Sequence, residues 1–74
     1  MKVRRIAILV YDGVETLDVA GPADVFSSAN ELLGREPAPY DVVVTGLRRG
    51  RVAAESGVCF YADASLADCG LFER

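Results

Sequence analysis

The feature that most constrains the fold is an apolar run that changes into a helical pattern after one turn. Ile6 to Val10 are all apolar and lie in a predicted strand over Val3 to Val10, which Asp12-Gly13 then ends. From Thr16 to Leu33 apolar residues recur at helical spacing, and Gly34 follows as a helix stop. Because a strand that is apolar throughout is typical of a parallel sheet covered on both faces, this pattern predicts a strand–helix unit of an α/β protein.

Gly21-Pro22 leaves two possible starts for the helix. Either the helix begins at Pro22, where proline is well tolerated, or it begins at Thr16 and kinks at Pro22. The kinked helix is the one we predict. Its apolar residues at helical spacing are Leu17, Ala20, Pro22, Val25, Phe26, Ala29, Leu32 and Leu33, and the opposite face carries Asp24, Ser27, Ser28, Asn30 and Glu31.

The remaining pattern predicts one more strand, a hairpin and a short helical turn. The predicted elements are a loop over Glu36 to Pro39, a strand over Tyr40 to Leu47, a polar turn over Arg48 to Arg51, a hairpin of Val52 to Glu55 and Val58 to Tyr61 around Ser56-Gly57, a helical turn over Ser65 to Asp68, and a connector over Cys69 to Arg74. This order favours the amino-terminal portion of a flavodoxin-like parallel-sheet sandwich. We expect residues 1–74 to form one incomplete domain, because further crossover strands would be needed beside the first strand.

Composition narrows the class of protein. The chain has 74 residues, 51% of them hydrophobic, and a net charge of −3, which is typical of a globular protein and not of one that coats nucleic acid. No apolar segment approaches the ~20 residues of a membrane-spanning helix. The two cysteines form no CxxC pair. We therefore expect a cytoplasmic protein that does not bind membranes.

No cofactor or metal site is predicted. Gly13 and Gly21 do not form a dinucleotide-binding or phosphate-binding glycine motif. The chain has no histidine, and its cysteines lack metal-ligand spacing. Asp12, Glu15 and Asp18 could together suggest a magnesium site, but acids in a turn and a first helical turn more simply face solvent.

Asp18 is the candidate catalytic residue. It follows the carboxyl end of the first strand, where ligands and chemistry sit in open α/β sheets. Its carboxylate could act as a general acid or base, or polarise a neighbouring thiol. The alternative is structural, since aspartate near a helix start complements the helix dipole.

The cysteines and arginines are weaker candidates. A nucleophilic cysteine needs a base and a lowered pKa, and neither Cys59 nor Cys69 has a histidine to pair with. Cys59 is instead predicted to be a small buried hydrophobic residue. Arg48, Arg49 and Arg51 could hold an anionic partner or could form a solvated loop tip.

Two segments resemble the PfpI-like branch of the class I glutamine amidotransferase-like superfamily. The first is Tyr11 to Phe26, YDGVETLDVAGPADVF, with SSANELLG after it; the second is Ser56-Gly57-Val58 with Ala64 to Asp68. LDVAGPADVF is similar both to isonitrile hydratases and to the sensor domains of AraC-type (GlxA-like) transcriptional regulators. The pattern Phe26-Ser27-Ser28-Ala29-Asn30 looks more like the regulator branch.

The resemblance implies a function for an intact protein rather than for these 74 residues alone. In the hydratase branch the acid matching Asp18 works with a reactive cysteine on a strand-to-helix elbow, which lies beyond Arg74. We therefore expect a ligand-sensing domain fragment of a regulator, with an isonitrile hydratase-like enzyme or a non-catalytic flavodoxin-like binding module as alternatives. The intact protein would bind a small molecule, form a homodimer and contact DNA only through a separate domain, and the isolated chain would not be an enzyme.

Overall fold

The computed structural model describes residues 2–67 and contains one helix, one parallel sheet and one hairpin within them. The parallel sheet has the strand order β1-β2-β5, and β3 pairs with β4 as an antiparallel hairpin. The predicted α/β class is confirmed. The elements are β1 (Arg4–Leu9), α1 (Thr16–Leu33), β2 (Tyr40–Gly46), β3 (Gly50–Ala53), β4 (Cys59–Ala62) and β5 (Ala64–Ser65).

The core joins the parallel sheet and α1 to the β1–α1 loop and the hairpin, and its buried residues are Ile8, Val10, Val14, Val19, Ala54 and Ala62. Ile6 and Ile8 of β1 are in register with Val42 and Val44 of β2, and this alternation places all four side chains on one face of the sheet. Val19 of α1 packs on that face in the core cluster. The β-branched residues of both strands thus form the surface on which the helix rests.

The bounds of α1 agree with the kinked alternative, because the helix begins at Thr16 and continues through Pro22. A start at Pro22 is therefore wrong. Pro22 has no N–H to donate to the carbonyl of Asp18, so this turn of the helix lacks one backbone hydrogen bond. Gly34 ends the helix with φ of 60°, and its N–H donates to the carbonyl of Asn30 at 3.1 Å.

The predicted faces of α1 are correct only in part, since Ala20, Phe26 and Ala29 are half-buried but other members of the apolar face are exposed. Leu17, Val25 and Leu32 are 79%, 65% and 87% exposed, whereas Val19 is 3% exposed and lies in the core. Asn30, which was placed on the polar face, contacts β2. The error has a physical reason: apolar residues surround most of this helix, so their spacing does not identify the side that packs.

Asn30 joins the carboxyl half of α1 to the start of β2. Its amide Nδ2 donates to the Tyr40 carbonyl at 2.9 Å, and its Oδ1 accepts from the Tyr40 N–H at 3.0 Å. The rings of Phe26 and Tyr40 pack beside this pair with centroids 5.0 Å apart. Both backbone groups of the first residue of β2 are thereby satisfied by one side chain.

The predicted helical turn over Ser65 to Asp68 is wrong at its start, because Ser65 belongs to the strand Ala64–Ser65, whereas Leu66 and Ala67 do form a turn. This strand, β5, pairs with the end of β2, where the Leu66 N–H donates to the Gly46 carbonyl at 2.9 Å. Hydrogen bonds to the free side of β2 outweigh the weak local preference for a single helical turn. Asp68 and the connector from Cys69 to Arg74 lie outside the described residues.

The hairpin is confirmed with shifted bounds. β3 begins two residues earlier than predicted, so Gly50 and Arg51 belong to the strand and not to the polar turn. Gly50 pairs with Ala62, which extends the ladder beyond the predicted Val52. The turn at Ser56-Gly57 is present, with φ of 93° at Gly57.

Candidate functional site

The carboxyl ends of β1 and β2 meet at one edge of the sheet because the two strands are parallel. Side chains that follow both strands, together with the start of the hairpin, line a cleft of about 370 Å³ at this edge. In open α/β sheets ligands bind at this edge. We call it the arginine cleft, and it is lined by Val10, Tyr11, Asp12, Leu47, Arg48, Arg49, Arg51 and Val52.

The loop between β1 and α1 is held against the hairpin by backbone hydrogen bonds. The Gly13 N–H donates to the Ala53 carbonyl at 2.9 Å, and the Glu55 N–H donates to the Val14 carbonyl at 2.9 Å. The carboxylate of Asp12 accepts from the Ala53 N–H at 3.4 Å. These bonds connect one wall of the cleft to the other, so the loop and the hairpin form a single unit.

Gly46 sets the path of the chain as it leaves β2 for the arginines. A Cβ added at Gly46 would lie 2.9 Å from the Arg48 carbonyl oxygen and 3.1 Å from Cβ of Ala62. Side chains essentially never approach a backbone oxygen that closely. Only glycine permits β2 to end against β4 while Arg48 turns back over it.

The three arginines line the cleft from two elements. Arg48 and Arg49 follow β2, and Arg51 lies in β3. The Arg51 Nε donates to the Cys59 Sγ at 3.3 Å, and this hydrogen bond raises the pKa of the Arg51 guanidinium. Within residues 2–67 the Arg48 guanidinium has no hydrogen-bond or ion-pair partner. The arginines therefore form part of a cleft wall, and the prediction of a solvated loop tip is incomplete.

Asp18 lies in the first turn of α1 and is exposed to solvent. Its N–H donates to the Glu15 carbonyl at 3.0 Å, and its carboxylate has no hydrogen bond or ion pair with any other residue among 2–67. It is not among the residues that line the arginine cleft. The geometry fits an acid that complements the amino end of a helix, and it also leaves the carboxylate accessible to another group.

The other two acids are not gathered with Asp18 into a metal site. Glu15 is the residue that precedes α1 and makes no side-chain capping bond, while Asp12 accepts a hydrogen bond across the loop. The described part of the chain contains no group of three histidine, cysteine, aspartate or glutamate side chains that could hold a metal ion. Asp12 instead stabilises the loop on which it lies.

The predicted burial of Cys59 is wrong, because the thiol is exposed on the outer side of the hairpin. In β4, Phe60 and Ala62 point towards the core, so Cys59 and Tyr61 point away from it. The sequence could not show which side chains of β4 point to the core, since Cys59 and Tyr61 are hydrophobic residues just as Phe60 and Ala62 are. Cys69 lies outside the described residues.

Tyr11 and Leu47 are lining residues that the sequence reasoning missed. Tyr11 is 53% exposed and Leu47 is 75% exposed, although both are large and hydrophobic. A positional rule could have found them, because each lies within two residues of the carboxyl end of a predicted parallel strand.

A second basic cleft of about 410 Å³ lies at the opposite, amino edge of the sheet. It borders Leu33, the last residue of α1. Cations near a helix carboxyl end are favoured by the helix dipole, which gives these basic residues a structural reason. The cleft is lined by Lys2, Arg4, Leu33, Arg35, Pro39 and Tyr40.

Comparison with known proteins finds a similarity over most of the chain. The chain is 37% identical, over 59 residues, to a Streptomyces lividans protein described as the uncharacterized protein in the cpoL 5' region. The match covers 80% of this chain, which spans 39% of the length of that relative. No protein-family model matches the chain. In the part of the chain that the structure describes, no helix has the length and hydrophobicity needed to cross a membrane.

Proposed function

We propose that the chain is the amino-terminal part of a PfpI-like, flavodoxin-like ligand-sensing domain of an AraC-type transcriptional regulator. The observation that carries the proposal is the arginine cleft, which lies where β1 and β2 end. That is the position at which α/β sheets of this kind bind ligands. The LDVAGPADVF motif, which begins α1, supplies the family part of the proposal, and this part is an analogy of sequence.

Binding is supported by the arginine cleft, whereas the contacts of Asp18 within the described residues supply only part of a catalytic site. Within residues 2–67 the Asp18 carboxylate makes no hydrogen bond to a thiol or hydroxyl, and Cys59 is on the outer side of the hairpin. An acid without a thiol partner can complement a helix or contact a ligand, but the cysteine chemistry that the hydratase branch implies also needs the thiol. The residues of the described chain thus support recognition of a small molecule.

The second candidate is an isonitrile hydratase-like enzyme, and one observation favours it. The Asp18 carboxylate is exposed and unpartnered within residues 2–67, so it is available to a cysteine from a longer protein. In that case Asp18 would act as acid or base for the missing thiol. A non-catalytic flavodoxin-like binding module is the third candidate, because it needs only the cleft.

Asp18→Asn in a longer protein that carries this sequence separates the first two candidates. For a regulator with a carboxyl-terminal helix-turn-helix domain of ~100 residues, we expect DNA binding to persist, because that contact lies in another domain. For an enzyme, we expect isonitrile turnover to be lost, because the acid is removed. Gel-shift and turnover assays on the same preparation measure both outcomes.

The matched control is Asp24→Asn, which removes an exposed acid from the same helix. It should leave both DNA binding and turnover unchanged. The regulator proposal is wrong if the longer protein binds no DNA and turns over an isonitrile in an Asp18-dependent way. The purified 74-residue chain should show no isonitrile turnover, and any turnover would contradict the assignment of Asp18 as half of a site.

A further inference from the structure

We propose that the arginine cleft binds a small organic anion, carrying a carboxylate or a phosphate, through Arg48 and Arg51. This names the ligand class of the proposed sensing site and in that sense rests on the proposed function. It adds a binding site on residues outside the LDVAGPADVF motif. Binding can be measured without DNA, so the two proposals can fail separately.

The lining of this cleft is basic, against the acidic trend of the whole chain. The chain has eight basic and eleven acidic residues, and three of the eight basic residues line this one cleft. Among the described residues, the only acid in the lining is Asp12. Positive charge that lines a concave site raises the local concentration of anions, whereas the acidic remainder of the chain repels them.

The guanidinium groups are suited to an oxyanion. Arg51 uses Nε for the Cys59 sulfur, which leaves its terminal nitrogens to donate elsewhere. Arg48 has no partner within residues 2–67, so no internal ion pair must be broken before a ligand is bound. Guanidinium groups bind carboxylates and phosphates in a bidentate geometry, and this favours an oxyanion over a simple halide.

The size and the remaining walls favour a small molecule over nucleic acid. A volume of about 370 Å³ is within the usual range for small-ligand sites. The exposed side chains of Tyr11 and Leu47 border the same cleft and offer apolar contact to the body of the ligand. DNA would need an extended basic surface, and the acidic balance of the chain does not provide one.

The amino-edge cleft is the obvious competitor, because it also carries three basic residues. Those residues lie beside the carboxyl end of α1, whose partial negative charge already attracts cations and repels anions. The arginine cleft is instead bordered by Tyr11 and Asp12, which lead into the amino end of α1. The dipole of α1 therefore disfavours anion binding at the amino edge and not at the arginine cleft.

The test is an NMR titration of the ¹⁵N-labelled 74-residue protein at constant ionic strength. The probes are phenyl phosphate and benzoate, which distinguish a phosphate from a carboxylate ligand, with benzyl alcohol as the uncharged control. We expect the arginine Nε–H and Leu47 to Val52 amide signals to move with one or both anions and to stay fixed with benzyl alcohol. No saturable shift with either anion would overturn the proposal.

Three variants locate the binding by charge. Arg48→Gln should lower the affinity for the anion by roughly three- to fivefold, as expected for a solvent-exposed charge pair. Asp12→Asn should raise the affinity for the anion, because it removes a carboxylate that repels the ligand. The asparagine side chain keeps an oxygen that can accept from the Ala53 N–H. Arg4→Gln changes the net charge as Arg48→Gln does but lies in the other cleft, so affinity should be unchanged.

The three variants test the proposal together, because a different change in anion affinity is expected for each of them. If Arg4→Gln and Arg48→Gln lower the anion affinity equally, the attraction is non-specific and the proposal is overturned. Lower affinity of an Asp12→Asn protein whose amide spectrum is native would also overturn it. A short DNA duplex that displaces phenyl phosphate from the cleft would replace the small-molecule site with a nucleic-acid surface. Circular dichroism of each variant confirms that a change in affinity is not a loss of fold.

Discussion

The two halves of α1 differ in how fully the structure accounts for their residues. In the carboxyl half, Phe26 and Asn30 both contact Tyr40, and Gly34 ends the helix with a positive φ. In the amino half, Leu17 is 79% exposed and Asp18 has an unpartnered carboxylate within residues 2–67. We call the carboxyl half explained because its contacts with β2 account for Phe26 and Asn30. The amino half is unexplained only at Leu17 and Asp18, since Val19 of the same half packs in the core.

This difference changes the weight of the family resemblance. The pattern FSSAN, which looks more like the regulator branch, contains the two residues that attach α1 to β2. A pattern that the fold itself requires says little about function. The LDVAGP segment, in which Gly21 and Asp18 have no evident packing role, is the part whose residues need another explanation.

Asn30→Ala tests the explained half and should have the largest effect. It removes two hydrogen bonds and leaves the N–H and carbonyl of Tyr40 without their partner. We expect the free energy of unfolding to fall by about 2 kcal/mol, measured by urea denaturation. Ser28→Ala, an exposed change on the same helix, is the control and should stay within ~0.5 kcal/mol of the original protein. Equal effects of the two changes would remove the distinction between the halves.

Gly21→Ala tests the unexplained half and should act in the opposite direction. No atom lies within 4 Å of a Cβ added at Gly21, and alanine is the better helix former. We expect the 74-residue protein to become more stable by roughly 0.5–1 kcal/mol, since glycine inside a helix costs about that much. A loss of stability would mean that Gly21 is closely packed after all, and the amino half would join the explained part.

The same contrast shows how far the sequence could predict the structure. The bounds of α1 and the position of β2 follow from local patterns, namely helical spacing, Gly34 and the Val42 to Val44 run. The face of α1 that packs on the core could not be predicted from these patterns, because Leu17 and Val25 are as hydrophobic as the buried Val19. Local patterns fix the type of an element, but which face it buries depends on partners far along the chain.

The candidate site was predicted less completely than the fold. The edge of the sheet and the arginines were identified from the sequence. That the arginines line one cleft with Tyr11 and Asp12 was not, because it depends on the β1–β2 register and on the hairpin that folds back. The wrong prediction of a helical turn at Ser65 has the same origin, since β5 exists only through its pairing with β2. Contacts between residues distant in sequence were the part that spacing could not supply.

Asp18→Asn should have the smallest effect on stability and is the sharpest test of the amino half. If its only role is to complement the helix dipole, the loss is ~0.5 kcal/mol and decreases as salt is added. Asp24→Asn, further along the helix, should cost less because the dipole interaction is confined to the first turn. Urea denaturation at low and high salt measures both variants. A large, salt-independent loss would show that the Asp18 carboxylate has a structural partner, and a small, salt-dependent one would leave it available for a ligand or a thiol.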